Sequence, residues 1–310
     1  MGNKIRKKEE IANELSCSKA VRTSFIELLK KYHLKPKKCF GQNFLIDKNA
    51  LRDILKAAEL KRNDTVIEIG PGLGTITKEL AEKAGGVIAI EKDRELAKIL
   101  LSRSGLTRIS TQNNAERNIK ILQGDILKFT TNDLQLTTDY KVVANLPYYI
   151  VSPVIRKFLE SDCPPTLMVL IAQKEVAERI CSSSPKMSLL AVAVQLYSKP
   201  EIVRIVKKES FWPKPKVDSA ILRINPLINT DKKLINTDLF FKIVKAGFSQ
   251  PRKQLKNNLK KIFGKETEKI LKKANIDPSC RAETLSVGNW KRLVKIVEND
   301  KMKPKSQNNF

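Results

Sequence analysis

Residues 66–77 read Val-Ile-Glu-Ile-Gly-Pro-Gly-Leu-Gly-Thr-Ile-Thr, and this stretch decides the fold. Its first four residues form a short apolar run typical of a buried strand, and its end opens an amphipathic helix. The glycines between them, Gly70 and Gly72 among them, let the backbone pass close beneath a ligand, while the amide dipoles at the start of the helix point toward it. The stretch therefore predicts a strand, a turn and a helix that together bind a ligand.

The next strand indicates the kind of ligand. A second apolar run, residues 87–90, ends in Glu91, and an acidic side chain about twenty residues past the glycines is placed to hold the two hydroxyls of a ribose. The glycines recur at every second position, unlike the G-x-G-x-x-G of dinucleotide sites, and Glu68 precedes them. A carboxylate there would repel a pyrophosphate but suits the cationic S-adenosylmethionine. The glycine run alone also fits an ordinary turn in another α/β enzyme.

Composition sets outer limits on the class of protein. The 310 residues suffice for an α/β core and a smaller second domain. No apolar run approaches the roughly 20 residues of a membrane span, and the N-terminus lacks the apolar segment of a signal peptide, so we expect a soluble, cytoplasmic protein. Five scattered cysteines and one histidine, His33, outside every motif, argue against a disulfide framework, a metal site and Ser-His-Asp catalysis.

The positive charge is concentrated at the two ends of the chain. The formal net charge is +26, of which residues 1–38 carry +7 and residues 231–310 carry +12. This distribution favours a polyanionic partner, and nucleic acid in particular. The alternative is that lysine-rich tails only keep the protein in solution.

The segment before the glycine stretch predicts a flap over the cofactor. Amide side chains, Asn43 among them, precede an apolar pair, Phe44 and Leu45. Asp47 is then placed to cap a helix that extends from about residue 48 to about residue 60. As structure alone, the segment is a capped helix start.

Two further strand ends carry polar residues. Asp125 follows a strand at residues 119–122 and is placed to accept a hydrogen bond from the adenine amino group of a nucleoside cofactor, although a plain turn aspartate is the competing interpretation. A strand at residues 141–144 leads into Asn-Leu-Pro-Tyr, residues 145–148. This tetrad stands at the carboxyl end of its strand, where open α/β sheets bind ligands.

The tetrad suits methyl transfer to an adenine amine. That amine is a poor nucleophile because its lone pair is delocalised into the ring. The side-chain carbonyl of Asn145 and the main-chain carbonyl of Leu146, held by the fixed φ of Pro147, can accept both amine hydrogens and draw the nitrogen toward a tetrahedral shape. Tyr148 offers a flat face for the flipped base, and Phe211 among its prolines offers a second face unless it is a core residue. No strong base is needed.

Six motifs in order carry a resemblance to a known family. They are residues 41–47 (Gly-Gln-Asn-Phe-Leu-Ile-Asp), 68–74 (Glu-Ile-Gly-Pro-Gly-Leu-Gly), 124–125 (Gly-Asp), 145–148 (Asn-Leu-Pro-Tyr), 211–220 (Phe-Trp-Pro-Lys-Pro-Lys-Val-Asp-Ser-Ala) and 248–253 (Phe-Ser-Gln-Pro-Arg-Lys). From about residue 34 to about residue 297 the chain closely resembles the ribosomal RNA adenine N6,N6-dimethyltransferases, and most closely their bacterial small-subunit (16S) members. The arm before residue 34 is a departure from that pattern.

The resemblance implies a fold and a division into domains. The expected fold is α/β, with a Rossmann-like class I S-adenosylmethionine-dependent methyltransferase sheet and a small C-terminal all-helical domain. We place a basic N-terminal arm at residues 1–33, the catalytic domain at 34–229 and a helical RNA-binding domain at 230–310. A basic helix start in the last domain would neutralise phosphates, with a solvated lysine face as the alternative. Its predicted RNA-binding residues are Arg252, Lys253, Lys256 and Lys260.

The resemblance also implies site residues and a substrate. The implied cofactor contacts are Asn43, Leu45, Gly70, Gly72, Glu91, Asp125 and Asn145. Tyr148 and Phe211 would flank the target base. Two adjacent adenosines in the 3′-terminal hairpin of 16S rRNA would each receive two methyl groups, within a 30S pre-ribosomal particle and as part of ribosome biogenesis, by a monomer that uses no metal and meets no membrane.

Two other functions stay open at this stage. One is a large-subunit (23S) rRNA adenine methyltransferase that confers macrolide resistance, and the Asn-Leu-Pro-Tyr and Phe-Ser-Gln-x-Arg-Lys forms favour the small-subunit enzyme over it. The other is a non-catalytic ribosome-assembly or transcription factor on the same fold. The intact Glu91, Asp125 and Asn145 argue against such a loss of chemistry.

Overall fold

The structure, a computed structural model, describes residues 27, 29–37, 40–102, 118–136, 139–227 and 236–299. Most of the expected basic arm, and the expected boundary between residues 229 and 230, lie outside the described residues. The described part divides into two compact units, one within Met1–Lys174 and Glu201–Asn225, the other within Glu175–Pro200 and Pro226–Phe310. The domain boundaries predicted from the sequence stay a prediction, and residues 175–200, which that prediction places in the catalytic domain, group with the second unit.

We number the elements in chain order. The strands are β1 Phe44–Leu45, β2 Thr65–Ile69, β3 Gly86–Glu91, β4 Asn118–Gln123, β5 Tyr140–Asn145, β6 Leu167–Gln173, β7 Ser198–Val206, β8 Phe211–Trp212 and β9 Ser219–Pro226. The helices are α1 Lys48–Ala58, α2 Thr75–Lys83, α3 Arg94–Ser102, α4 Val151–Leu159, α5 Lys174–Ile180, α6 Leu189–Gln195, α7 Thr237–Gly247, α8 Leu255–Phe263, α9 Thr267–Lys273 and α10 Val287–Asn299. No helix in the described ranges is long and apolar enough to cross a membrane.

A seven-stranded sheet organises the first unit. Its order is β4-β3-β2-β5-β6-β9-β7, and the neighbours from β4 to β6 run parallel. The chain leaves β2 first to one side and later to the other, which puts a topological switch point between β2 and β5, where open α/β sheets bind their ligands. The antiparallel strand β9 lies between β6 and β7 and has no counterpart in the dinucleotide-binding order. The predicted Rossmann-like sheet is confirmed.

The central strands are apolar along their whole length because both faces of the sheet are covered. Val66 and Ile67 of β2 are completely buried, and Leu167–Ala172 of β6 is buried throughout. Charged exceptions are Glu68 of β2, Glu91 at the end of β3 and Lys141 of β5. Lys141 has several partners. Its ammonium contacts the main-chain oxygens of Ala58 (3.1 Å) and Glu59 (2.6 Å) and the carboxylate of Asp64 (2.8 Å). It therefore stabilises the carboxyl end of α1, where the helix dipole favours a cation.

Helix α1 begins as predicted and ends early. The Asp47 carboxylate accepts hydrogen bonds from the amides of Asn49 (2.8 Å) and Ala50 (3.2 Å), which confirms the predicted cap. The helix ends at Ala58 rather than near residue 60 because Glu59 adopts a left-handed conformation, with φ of 45°.

The second unit is helical in its C-terminal part, as predicted. Helices α7 to α10 enclose a core that includes Phe240 and Trp290, both fully buried. A Cβ added to Gly247 would lie 2.4 Å from the Trp290 ring, so α7 and α10 meet at a position where only glycine fits. The Nδ2 of Asn258 in α8 donates to the main-chain oxygen of Gly247 at 2.6 Å.

Candidate active site

The glycine turn joins β2 to α2 in the predicted conformation. Gly70, Gly72 and Gly74 have φ values of 71°, 60° and 80°, in the left-handed region that other residues rarely adopt. A Cβ on Gly72 would also lie 2.9 Å from the Phe44 ring. The turn therefore needs glycine both for its backbone path and for the close approach of the flap.

Glu91 ends β3 and is tied to this turn. One carboxylate oxygen accepts a hydrogen bond from the Gly72 amide (3.0 Å) and the other from the Asp93 amide (2.8 Å). Burial raises the pKa of Glu91, and the two amides offset part of that rise. A carboxylate has about four acceptor positions, so it can still accept hydrogen bonds from a pair of hydroxyls.

Asp125 lies just past β4 and has a partner that the sequence analysis did not foresee. Its carboxylate contacts the Lys92 ammonium at 2.9 Å and accepts from the Leu127 amide at 3.0 Å. Burial alone would raise the pKa of Asp125, but these two contacts outweigh it and lower the pKa below its usual value. An adenine amino group would therefore share this carboxylate with Lys92.

The tetrad begins at the end of β5, where a hydrogen bond orients its first side chain. Asn145 Nδ2 donates to the main-chain oxygen of Asn43 at 2.9 Å. Oδ1 is the acceptor of this side chain, and the bond from Nδ2 to the flap restrains the direction in which Oδ1 points. Further along, the hydroxyls of Tyr148 and Ser219 lie 3.1 Å apart.

The flap and the loop that carries Phe211 form one small sheet. Strands β1 and β8 pair antiparallel, with Leu45 opposite Phe211. The Ile46 amide donates to the Ser210 oxygen (2.9 Å), and the Ser210 hydroxyl donates to Asp47 (2.7 Å). Phe211 is only 3% exposed and belongs to the hydrophobic core, and it also lines the cavity described below. Its role as a stacking face stays a prediction.

Asp93 anchors the flap and was missed by the sequence analysis. Its carboxylate contacts the Lys37 ammonium (3.0 Å) and the Gln42 side-chain amide (2.9 Å). The Lys37 amide in turn donates to Gln42 Oε1 at 2.8 Å. Asp93 stands two residues after Glu91, and the only signal that could have drawn attention to it was its place at the same strand tip.

Glu68 is not the charged carboxylate that the sequence analysis assumed. Burial raises its pKa to about 8, and among the described residues neither carboxylate oxygen has a hydrogen-bond partner of normal geometry. The buried Thr77 hydroxyl in α2 offsets part of the rise in the pKa of Glu68, although within the described residues it makes no hydrogen bond of normal geometry. At neutral pH Glu68 is therefore mostly protonated, which weakens the argument that its charge would repel a pyrophosphate.

These elements line an open cavity at the carboxyl ends of the central strands, with about 840 Å³ of empty space when the part open to solvent is included. The described residues that line it are Phe40, Gly41, Gln42, Asn43, Phe44, Ile69, Gly70, Gly72, Ile90, Glu91, Lys92, Leu96, Gly124, Asp125, Ile126, Asn145, Leu146, Pro147, Tyr148, Tyr149, Ile150 and Phe211. All the predicted cofactor contacts except Leu45 are among them, and Leu45 packs in the hydrophobic core. Within the described ranges, no cluster of three or more His, Cys, Asp or Glu residues could hold a metal ion.

The predicted RNA-binding residues lie in the second unit, and one part of that prediction is corrected. Helix α8 begins at Leu255 because Gln254, its N-cap residue, is extended (φ −61°, ψ 145°). Arg252 and Lys253 therefore lie in the exposed turn before the helix rather than on it. In α8 itself, Lys256 pairs with Glu268 at 2.9 Å, and Lys260 is exposed.

The sheet order and the cavity above its central strands define a Rossmann-like methyltransferase of the type that uses S-adenosylmethionine. A sequence profile of the family described as ribosomal RNA adenine dimethylase matches residues 33–299. The chain belongs to this family.

Two curated relatives and two solved structures illustrate the similarity. The ribosomal RNA small subunit methyltransferase A of Dehalococcoides mccartyi (strain ATCC BAA-2266 / KCTC 15142 / 195) is 41% identical over 271 residues, 86% of this chain and 90% of the relative. That of Clostridioides difficile (strain 630) is 41% identical over 276 residues, 87% and 94% of the two chains. A dimethyladenosine transferase from Plasmodium falciparum superposes with a TM-score of 0.72 at 25% identity, covering 84% of this chain and 99% of the other. The 23S rRNA methyltransferase ErmE has a TM-score of 0.63 at 26% identity, covering 82% and 99%.

Proposed function

We propose that this protein dimethylates N6 of two adjacent adenosines in the 3′-terminal hairpin of small-subunit (16S) rRNA, with S-adenosylmethionine as methyl donor. The observation that carries the proposal is the Asn145 side chain, which is bonded to the flap in the lining of the cavity at the carboxyl ends of the central strands. Relatives about 40% identical over most of their length bear the name of a small-subunit rRNA methyltransferase.

The residues of the cavity fit the proposed cofactor. Glu91 keeps acceptor positions for ribose hydroxyls. Asp125 would accept from the adenine amino group, and the backbone at Gly70 and Gly72 would approach the ligand closely. When bound, the cofactor supplies an electrophilic methyl group on a cationic sulfur.

The chain's own contribution is to position the target amine and to raise its nucleophilicity. Asn145 Oδ1 and the Leu146 carbonyl would accept the amine hydrogens, and Tyr148 and Phe211 would hold the flipped base between them. Since both acceptors are neutral carbonyl oxygens, the amine becomes more nucleophilic without a strong base. After the first transfer the methylated nitrogen releases one of its two hydrogens to solvent as a proton, so the monomethylated amine keeps a single N–H, which one of the two acceptors would hold for a second transfer.

The second unit supplies a surface suited to RNA. Arg252, Lys253 and Lys260 are exposed, and such cations would neutralise phosphates and position the RNA without reading its sequence. The proposed substrate is the 30S pre-ribosomal particle, on which the protein would act as a monomer in the cytoplasm.

A methyl-transfer assay tests the proposed function. Labelled S-adenosylmethionine is incubated with unmodified 30S particles or with naked 23S rRNA, and the product nucleoside is identified by mass. We expect N6,N6-dimethyladenosine on the 30S substrate. Label on 23S rRNA alone would indicate the large-subunit function named for its structural neighbour ErmE. No label on either substrate, with cofactor still bound, would favour a non-catalytic assembly factor.

A further inference from the structure

Ser219 contacts the tetrad from another part of the chain. Its hydroxyl lies 3.1 Å from the Tyr148 hydroxyl, and the residue itself is completely buried. Ser219 is the first residue of β9 and stands opposite Gln173 in the antiparallel pair with β6. The tip of the proposed base-stacking tyrosine is thus hydrogen-bonded to a rigid position of the central sheet.

Asp218, the residue before Ser219, fixes the loop that carries Phe211. One Asp218 carboxylate oxygen accepts from the Lys208 amide (3.0 Å) and the other contacts the Lys207 ammonium (3.0 Å). The main-chain oxygen of Asp218 accepts from the Lys174 amide (3.0 Å). Lys208 starts the short 3₁₀ turn that leads directly into Phe211.

The hydrogen bond between the Tyr148 hydroxyl and Ser219 restricts the movement of the Tyr148 ring. A tyrosine just after a strand can change both χ1 and χ2, and each change would tilt the face on which a base stacks. A bond from the hydroxyl to a sheet residue limits χ1, because a change in χ1 would carry the hydroxyl away from Ser219, whereas the hydroxyl oxygen lies on the χ2 axis. Misplacement of a reacting group by about 1 Å can cost two orders of magnitude in rate. The geometry of this contact therefore bears on methyl transfer as well as on stability.

We propose that Ser219 is a positioning residue for the target adenine: by limiting χ1 it holds the Tyr148 ring at the place where the base stacks, while Asp218 holds the turn before Phe211. Tyr148 and Phe211 line the same cavity. Two consecutive residues, Ser219 at the start of β9 and Asp218 just before it, would thus set the space between the two rings. This inference rests on the proposed function, since it assumes a base in that space.

The test compares four proteins on the 30S substrate: the unaltered chain, Ser219→Ala, Tyr148→Phe and the double variant. We expect each single change to lower kcat about 3- to 10-fold, the range expected for one lost neutral hydrogen bond, with unchanged cofactor affinity. The double variant should be no slower than the slower single variant, because both changes remove the same bond. Ser219→Thr keeps a hydroxyl and should restore most of the turnover.

A second buried serine provides the matched control. Ser198 is 2% exposed and donates its hydroxyl to the Val194 oxygen at 2.8 Å, in the second unit. Ser198→Ala should lower thermal stability to a similar extent and leave kcat unchanged.

Three outcomes would overturn the inference: normal kcat in Ser219→Ala, losses that add in the double variant, or no rescue by threonine. If Ser219→Ala does not fold, Tyr148→Phe removes the same bond from the other side, and normal kcat in that variant would also overturn it. A failure of the unaltered chain to methylate adenosine at all would instead refute the proposed function.

Discussion

The Asn145 side chain has two roles: Nδ2 donates to the Asn43 main-chain oxygen, and Oδ1 is the proposed acceptor for the target amine. Replacement of Asn145 by aspartate separates them. The introduced carboxylate would keep an oxygen that can accept the target amine hydrogens, but it would place its other oxygen against the Asn43 main-chain oxygen, where Nδ2 now donates at 2.9 Å. Loss of that bond and the facing of two acceptors should cost about 1–3 kcal/mol, which corresponds to roughly a 5- to 150-fold lower kcat.

The pH dependence of the loss identifies its cause. The facing carbonyl and partial burial disfavour the charged carboxylate, so we expect the pKa of the introduced aspartate to be raised. Below that pKa the acid is protonated and can donate to the Asn43 oxygen as the amide does. The ratio of variant to unaltered kcat should therefore rise as pH falls. The measurement is single-turnover methyl transfer, with saturating cofactor, across a pH series.

Asn258→Asp is the matched control for this substitution. Asn258 Nδ2 also donates to a main-chain oxygen, that of Gly247 at 2.6 Å, but in the second unit. This change should lower the melting temperature and leave the kcat ratio near one at every pH. If Asn145→Asp retained full kcat with no pH dependence, the orienting role of the flap would be wrong.

Three further substitutions test other parts of the site. Gly72→Ala forces a Cβ to within 2.9 Å of the Phe44 ring at a positive φ. Strain of about 1–3 kcal/mol should weaken cofactor binding about tenfold or more, as measured by calorimetry. Unchanged affinity would contradict the proposed close approach at Gly72. Asp93→Asn should raise the cofactor dissociation rate in stopped-flow experiments more than Glu95→Gln, because Glu95 is the exposed partner of the same lysine. Burial raises the pKa of Glu68 to about 8, so the protonated form favours folding and the free energy of unfolding decreases as pH rises toward 8. In urea unfolding, Glu68→Gln should flatten this decrease. An unchanged dependence of the unfolding free energy on pH would count against the raised pKa.

The parts of the site that could be predicted are the ones encoded by neighbouring residues. The apolar run, the glycines and the helix after them specify a strand, turn and helix through local conformational preference, and Asp47 specifies a helix start through its own side chain. Parallel strands then bring Glu91, Asp125 and Asn145 to the same edge of the sheet. Their shared location follows from topology alone.

What could not be predicted are contacts between residues far apart in sequence. Strands β1 and β8 have only two residues each, too few for any periodicity, and they come from distant parts of the chain. The Lys92 contact with Asp125 and the Ser219 contact with Tyr148 depend on side-chain conformations that no local pattern specifies. The protonation of Glu68 likewise depends on how completely it is buried, which only the packed structure shows.

The flap makes several contacts of this long-range kind. It bonds to the Asn145 side chain through the Asn43 oxygen, to the Phe211 loop through β1 and β8, and to the β3 tip through Asp93. A displacement of the flap would thus disturb the acceptor for the target amine, the loop of one aromatic ring and the strand end that holds Glu91 at the same time. Substitutions that loosen it, such as Asp93→Asn, should lower cofactor affinity and kcat together, whereas Ser219→Ala, which acts on Tyr148 from the sheet, should lower kcat alone.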